Sequence, residues 1–168
     1  VKLIPAEDRK KLWGMGIKIG RYHIYLPKML KPKAVEFRIS LWKIFHNLAD
    51  KHEIPKFGLN FIINKNYEKN FLLLCGFEQF KEYFVRIDIL EKLFIKILDN
   101  SKDRKFKINA EMMNLLGCTK ENFYKLMTYM DYKKDKSVDT YIFRGEKKKI
   151  NKSIKFDKKE NPFKKLLS

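Results

Sequence analysis

The sequence holds only two cysteines, Cys75 and Cys118, far apart and with no CxxC neighbour. That excludes a disulfide framework and points to a reducing, cytoplasmic setting. Its seven glycines never fall into GxxxxGKS/T or GxGxxG, so no phosphate-cradling loop is expected and this segment is not a motor ATPase. No apolar run approaches the ~20 residues that cross a bilayer. Val1 to Arg9 has a proline and several charges where a secretory leader carries its apolar stretch. A membrane partner is therefore not expected. His23, His46 and His52 stand at no ligand spacing to one another or to a cysteine, so neither a metal nor any other cofactor is expected in this segment. Cys118 precedes a helix start, where a thiol pKa tends to fall. With no orienting third residue for a Cys–His pair, it reads as a small turn residue, and no catalytic residue is assigned.

Acidic residues are the remaining scarcity. Twenty Asp and Glu face 38 Lys and Arg, a formal net charge of +18. Hydrophobic residues make up 45% of the chain, with fourteen Phe and eight Tyr, which marks a globular sequence and not a disordered polycation. Such a charge on a folded scaffold concentrates polyanions, nucleic acid first among them. Lys far outnumbers Arg, and Asn and Ile are abundant; A/T-rich coding alone can produce that bias, so the charge by itself does not establish a partner. The chain opens on Val1 in place of Met, from which we expect a piece of a longer protein.

Along the chain, Ala6 to Trp13 reads as a short charged helix closed by Gly14 and Gly16. Ile17 and Ile19 alternate with polar residues, as do Tyr22, Ile24 and Leu26, but out of phase. Gly20 marks the phase change, so a bent strand or strand pair is expected, ended by Pro27. Pro32 opens a helix over 33–50 whose core stripe is read as Ala34, Phe37, Leu41, Phe45 and Leu48, broadened by Val35, Trp42 and Ile44. Residues 52–70 read as a connection, and Phe71 to Cys75 fits either strand or helix end. Tyr83 to Ile87 reads as a strand. Asp88 caps the next helix, with Glu91 completing a capping box. A polar turn at 100–104, a short extended piece at 106–108, helices capped by Asn109 and Thr119, and a hairpin over 132–135 and 138–144 follow. That order matches a winged helix. From Glu146 a basic tail with nine Lys runs to Ser168. The expected fold is α+β and mainly helical: a strand-plus-helix unit over 1–70, a winged-helix-like unit over 71–145, and the tail over 146–168.

Three groups are candidates for nucleic-acid contact. Lys18, Arg21, Lys28, Lys31 and Lys33 surround the Gly- and Pro-rich segment and interleave with Tyr22, a mixture of cations and rings that suits single strands. The alternative puts those rings in the core. Lys120, Lys125, Tyr129, Lys133 and Lys134 would line the third helix and the base of the wing. Only Asn122 there could read a base edge, so phosphate contact is expected over sequence readout. Lys147, Lys148 and Lys149 represent the tail.

The strings Gly16-x-x-x-Gly20 with Leu26-Pro27-x-x-Leu30-Lys31-Pro32-x-Ala34, Phe84-Val85-Arg86-Ile87-Asp88-Ile89-Leu90-Glu91-Lys92-Leu93, and Met112-Met113-x-Leu115-Leu116-Gly117-Cys118 resemble the region C-terminal to the motor in alphaproteobacterial helicase-related proteins. These are superfamily-two helicases akin to the mitochondrial RNA-degradosome helicase. The resemblance spans roughly Leu12 to Tyr132. It implies two RecA-like motor domains in the parent chain, with ATP and magnesium bound there, and an accessory segment here that guides RNA or single-stranded DNA. Lys stands where relatives favour Arg, which removes specific Arg–phosphate contacts. The expected function is non-sequence-specific nucleic-acid binding in service of a helicase. The alternative is a docking module that packs on a motor or partner domain.

Overall fold

A computed structural model of the chain describes residues 4–47, 53–63, 68–136 and 139–142. Helix α1 (Ala6–Gly14) follows Pro5, carries Glu7 and Asp8 in the first turn where the helix dipole favours them, and has no buried residue. The antiparallel pair β1 (Lys18–Ile19) and β2 (Ile24–Tyr25) comes next. A 3-10 turn over Pro27–Leu30 leads into α2 (Pro32–Phe45), with Pro32 at the first helical position. Then come β3 (Phe61–Ile63), α3 (Lys69–Leu74), β4 (Phe77–Phe80) and β5 (Tyr83–Arg86), the strands forming an antiparallel sheet in the order β3–β5–β4. Helix α4 (Ile87–Asp99) is followed by β6 (Ser101–Lys102), β7 (Lys105–Lys107), α5 (Ala110–Leu116), α6 (Lys120–Tyr129), β8 (Lys133–Lys134) and β9 (Thr140–Ile142). These last strands form a sheet in the order β6–β7–β9–β8. Six helices and three small sheets among the described residues make an α+β fold.

Local chemistry sets the boundaries. Asn109 accepts the Met112 N–H at 2.9 Å to cap α5, and Gly117 ends that helix with φ +67°. Thr119 caps α6 through the Asn122 N–H at 3.4 Å. Asp103 and Arg104 turn β6 into β7 with φ of 49° and 62°, the positive pair a tight two-residue hairpin needs.

Strand β5 joins two cores. Tyr83 and Val85 face a large cluster with Leu90, Leu93, Ile97, Phe106, Met112, Phe123, Leu126 and Tyr141. Phe84 faces the other way, into a smaller cluster with Val35, Ile39, Phe71, Leu72, Cys75 and Phe77. Both faces of the strand are buried, which explains why its sequence runs apolar without alternating. Position 70, where the sequence suggests a division, is spanned by the β3–β5 pairing and by this smaller cluster.

Several local readings change. Residues 61–63 and 77–80 are strands, and Phe71 to Leu74 belong to a helix. In α2 the buried residues are Val35 and Ile39, while Phe37, Leu41, Ile44 and Phe45 of the expected core stripe are exposed. Helix α4 starts one residue before Asp88, whose carboxylate is held in the first turn by the Arg86 guanidinium at 2.7 and 3.1 Å. Glu91 makes no capping box; it is turned into the protein and only 5% exposed. The tail, with Lys147, Lys148 and Lys149, lies outside the described residues.

Candidate nucleic-acid interface

The outer face of the four-stranded sheet is built of lysine. In β7 the alternation sinks Phe106 and leaves Lys105 and Lys107 outside. Directly opposed residues of an antiparallel pair share a face. The register Lys102↔Lys105, Lys105↔Ile142 and Ile142↔Lys133 therefore sets three ammonium groups in one row across all four strands. At a strand spacing of ~4.8 Å that row is about 14 Å long. Lys107, opposite Thr140, adds a fourth cation about 7 Å further along β7. Lys105 is ion-paired with Asp135 at 2.9 Å. Sequence reasoning named only Lys133 of this group. The missing signal was the pairing of β7 with β9, since each lysine alone is one among many.

Around the edge of that sheet, Tyr124 on α6 donates a hydrogen bond to the Asp139 carboxylate, which also meets Lys120 Nζ at 3.4 Å. The Tyr124 hydroxyl, ahead of Lys120, holds the Asp139 carboxyl below its ordinary range. Lys120 and Lys134 stand 5.4 and 5.6 Å from the Tyr124 ring centre. The structure thus brings Lys120 and Lys134 together about one tyrosine and puts Lys133 on the sheet face. Lys125 is exposed on α6. Tyr129 is engaged internally: its hydroxyl donates to Glu82 at 2.9 Å, its ring lies 5.4 Å from that of Tyr83, and Lys81 Nζ is 4.2 Å from its centre. Asn122, the one base-reading candidate, accepts the Tyr83 hydroxyl at 3.1 Å.

The N-terminal candidates divide. Lys18, Lys28, Lys31 and Lys33 are exposed on β1, the 3-10 turn and the start of α2. Arg21 and Tyr22 belong instead to a latch around Glu91. The backbone N–H groups of Arg21, Tyr22 and His23 donate to the Glu91 carboxylate at 2.7, 2.7 and 3.0 Å. Gly20 is obligatory there, because a Cβ would lie 2.1 Å from the Glu91 carboxyl carbon. Tyr22 packs edge-on against Phe80 and Phe94, and the Arg21 guanidinium lies 4.5 Å from the Phe94 ring centre. Tyr22 packs part of its ring there and keeps 36% of its surface exposed. One face of so short a hairpin has to be covered, and α4 covers it.

His23 completes the latch, with Nε2 at 2.8 Å from Glu78 and Nδ1 at 3.8 Å from Glu91. The Glu78 hydrogen bond first, and Glu91 second, raise its pKa to about 9 against the effect of burial. Burial alone would raise the Glu91 pKa, but His23 and the three backbone donors outweigh it and hold the carboxyl below its ordinary range. His46 lies against Trp42 and Phe45, and His52 falls outside the described residues. Burial pushes both thiols, Cys75 and Cys118, up to about 11. For Cys118 this reverses the expected depression at a helix start. No three His, Cys, Asp or Glu side chains come together as a metal would require among the described residues. No described helix is long and apolar enough to cross a membrane. No family model, curated protein or solved structure matches the chain.

Proposed function

We propose that this segment binds nucleic acid without sequence preference, as an accessory element C-terminal to the motor of an ATP-dependent helicase, with ATP and magnesium bound by the parent's motor domains. One observation carries the binding: the row Lys102, Lys105 and Lys133 with Lys107 beside it, on one solvent face of a sheet. Ammonium groups set along such a row neutralise phosphates and release counterions. No carboxamide or guanidinium on α6 is free to read bases in pairs, since Asn122 is held by Tyr83. The order of α4, β6, β7, α5, α6 and the β8–β9 pair, with β7 joined to β9, supports a winged-helix reading in which α6 and the hairpin flank the strand. The helicase assignment rests on the sequence resemblance alone. Fluorescence anisotropy with labelled single-stranded RNA, single-stranded DNA and duplex tests the reading at rising salt. The expected result is a Kd of about 10⁻⁴ to 10⁻⁶ M near physiological salt, weakening steeply as salt rises, with little change between base sequences. Affinity no better than millimolar at low salt overturns it.

A further inference from the structure

Helix α2 is held by one face and offers another. Val35 and Ile39 are sunk in the smaller core. Phe37, Leu41, Ile44 and Phe45 are 65%, 51%, 73% and 82% exposed. Their i, i+4, i+7, i+8 spacing confines them to about 100° of arc over about 12 Å of helix. This is the anchor pattern of a helix that lies in a groove. Phosphodiester strands gain nothing from covering Leu41 and Ile44, and four side chains offer too little apolar area for a stable lipid anchor, so the occupant is protein.

Charge selects among proteins. Lys33 stands one turn before Phe37 on the border of the stripe, and Lys28 and Lys31 stand at the same end, all exposed. The first turn of α2 carries no acidic residue to offset its positive dipole end. Glu36 lies about 140° round the helix from Leu41. A second copy of this chain would bring the same cations and a further +18. The segment 146–168 would bring nine more lysines against three acidic residues. Like charge disfavours both. We infer that the Phe37–Leu41–Ile44–Phe45 face of α2 docks into an apolar groove of a different protein, edged by carboxylates where Lys28, Lys31 and Lys33 arrive. The inference stands independently of nucleic-acid binding on the sheet.

A photoreactive amino acid placed at Leu41 in the full chain, with Glu111 as the control position, tests it in extract of the source cells. The cross-linked peptide is sequenced and its parent protein purified for titration. The expected adduct from position 41 lies in an apolar groove edged with Asp and Glu. The purified partner's Kd should weaken at least tenfold with Leu41→Ser plus Phe45→Ser, and severalfold with Lys28, Lys31 and Lys33 changed to Glu. Circular dichroism and melting of the serine variant should match the parent chain. Adducts to another copy, to residues 146–168 or to nucleic acid overturn the inference. So do yields no higher than from position 111, a partner indifferent to the substitutions, or a serine variant that unfolds.

Discussion

Helices α4 and α2 are similar in length and both amphipathic, yet they treat their side chains in opposite ways. Helix α4 buries Ile89, Leu90, Leu93, Phe94 and Ile97, and a carboxylate with them, and leaves Ile95 and Leu98 half exposed. Helix α2 buries only Val35 and Ile39 and leaves four large apolar side chains outside. Hydropathy alone would have placed Glu91 in water and Phe45 in the core. What decides is the arriving partner. Three backbone N–H groups and an imidazolium converge on Glu91, replacing its lost hydration, whereas Phe45 meets the ring of the adjacent His46 and stays 82% exposed.

Removing the acceptor breaks the comparison most sharply. Glu91→Ala strands three N–H donors and leaves His23 with Glu78 alone, and should destabilise the fold by about 3–5 kcal/mol in urea unfolding. Glu91→Gln retains an acceptor oxygen and should cost less. Gly20→Ala, which drives a methyl into the same carboxylate, should also destabilise. In the core face of α4, Leu93→Ala should cost about 2–5 kcal/mol by the same measurement.

The latch also predicts a pH dependence. The folded pKa of His23, about 9, exceeds the ordinary 6.5. Its contribution is therefore fully present below pH 6.5 and is lost as pH rises through 9. The shift corresponds to at most about 3 kcal/mol, less for a ring still partly open to solvent. Glu91 acts in the opposite sense: its contribution is present above the ordinary carboxyl range and is lost in acid. Urea unfolding at pH 7 and pH 9.5 should show the alkaline loss in the parent chain, and a smaller one in His23→Gln. The smallest effect belongs to α2, where Leu41→Ser and Phe45→Ser should each change stability by less than about 0.5 kcal/mol.

Much of the fold was legible because it rests on local chemistry. Asn109 and Thr119 cap helices as their side chains suggest, Pro32 opens α2, and Gly20 lies at the bend between β1 and β2. Helical period showed that α2 exists but not which side faces inward, because Val35 and Ile39 and the Phe37–Phe45 stripe are both apolar. Glu91 fitted a capping box three residues after Asp88, and nothing local revealed that the chain from Arg21 to His23 would wrap it. The candidate interface depended equally on non-local pairing. Lys133 and Lys134 were visible beside a hairpin, whereas Lys102, Lys105 and Lys107 acquired meaning only once β7 lay between β6 and β9.

The most direct test of the lysine face is the slope of log affinity against log salt for a single-stranded oligonucleotide. It is measured for the full chain and for a variant with Lys102, Lys107 and Lys133 all changed to Gln. Losing three phosphate contacts should make the slope shallower by about 2 and weaken binding at low salt for every sequence alike. An unchanged slope and affinity in a folded variant would contradict the assignment of that face.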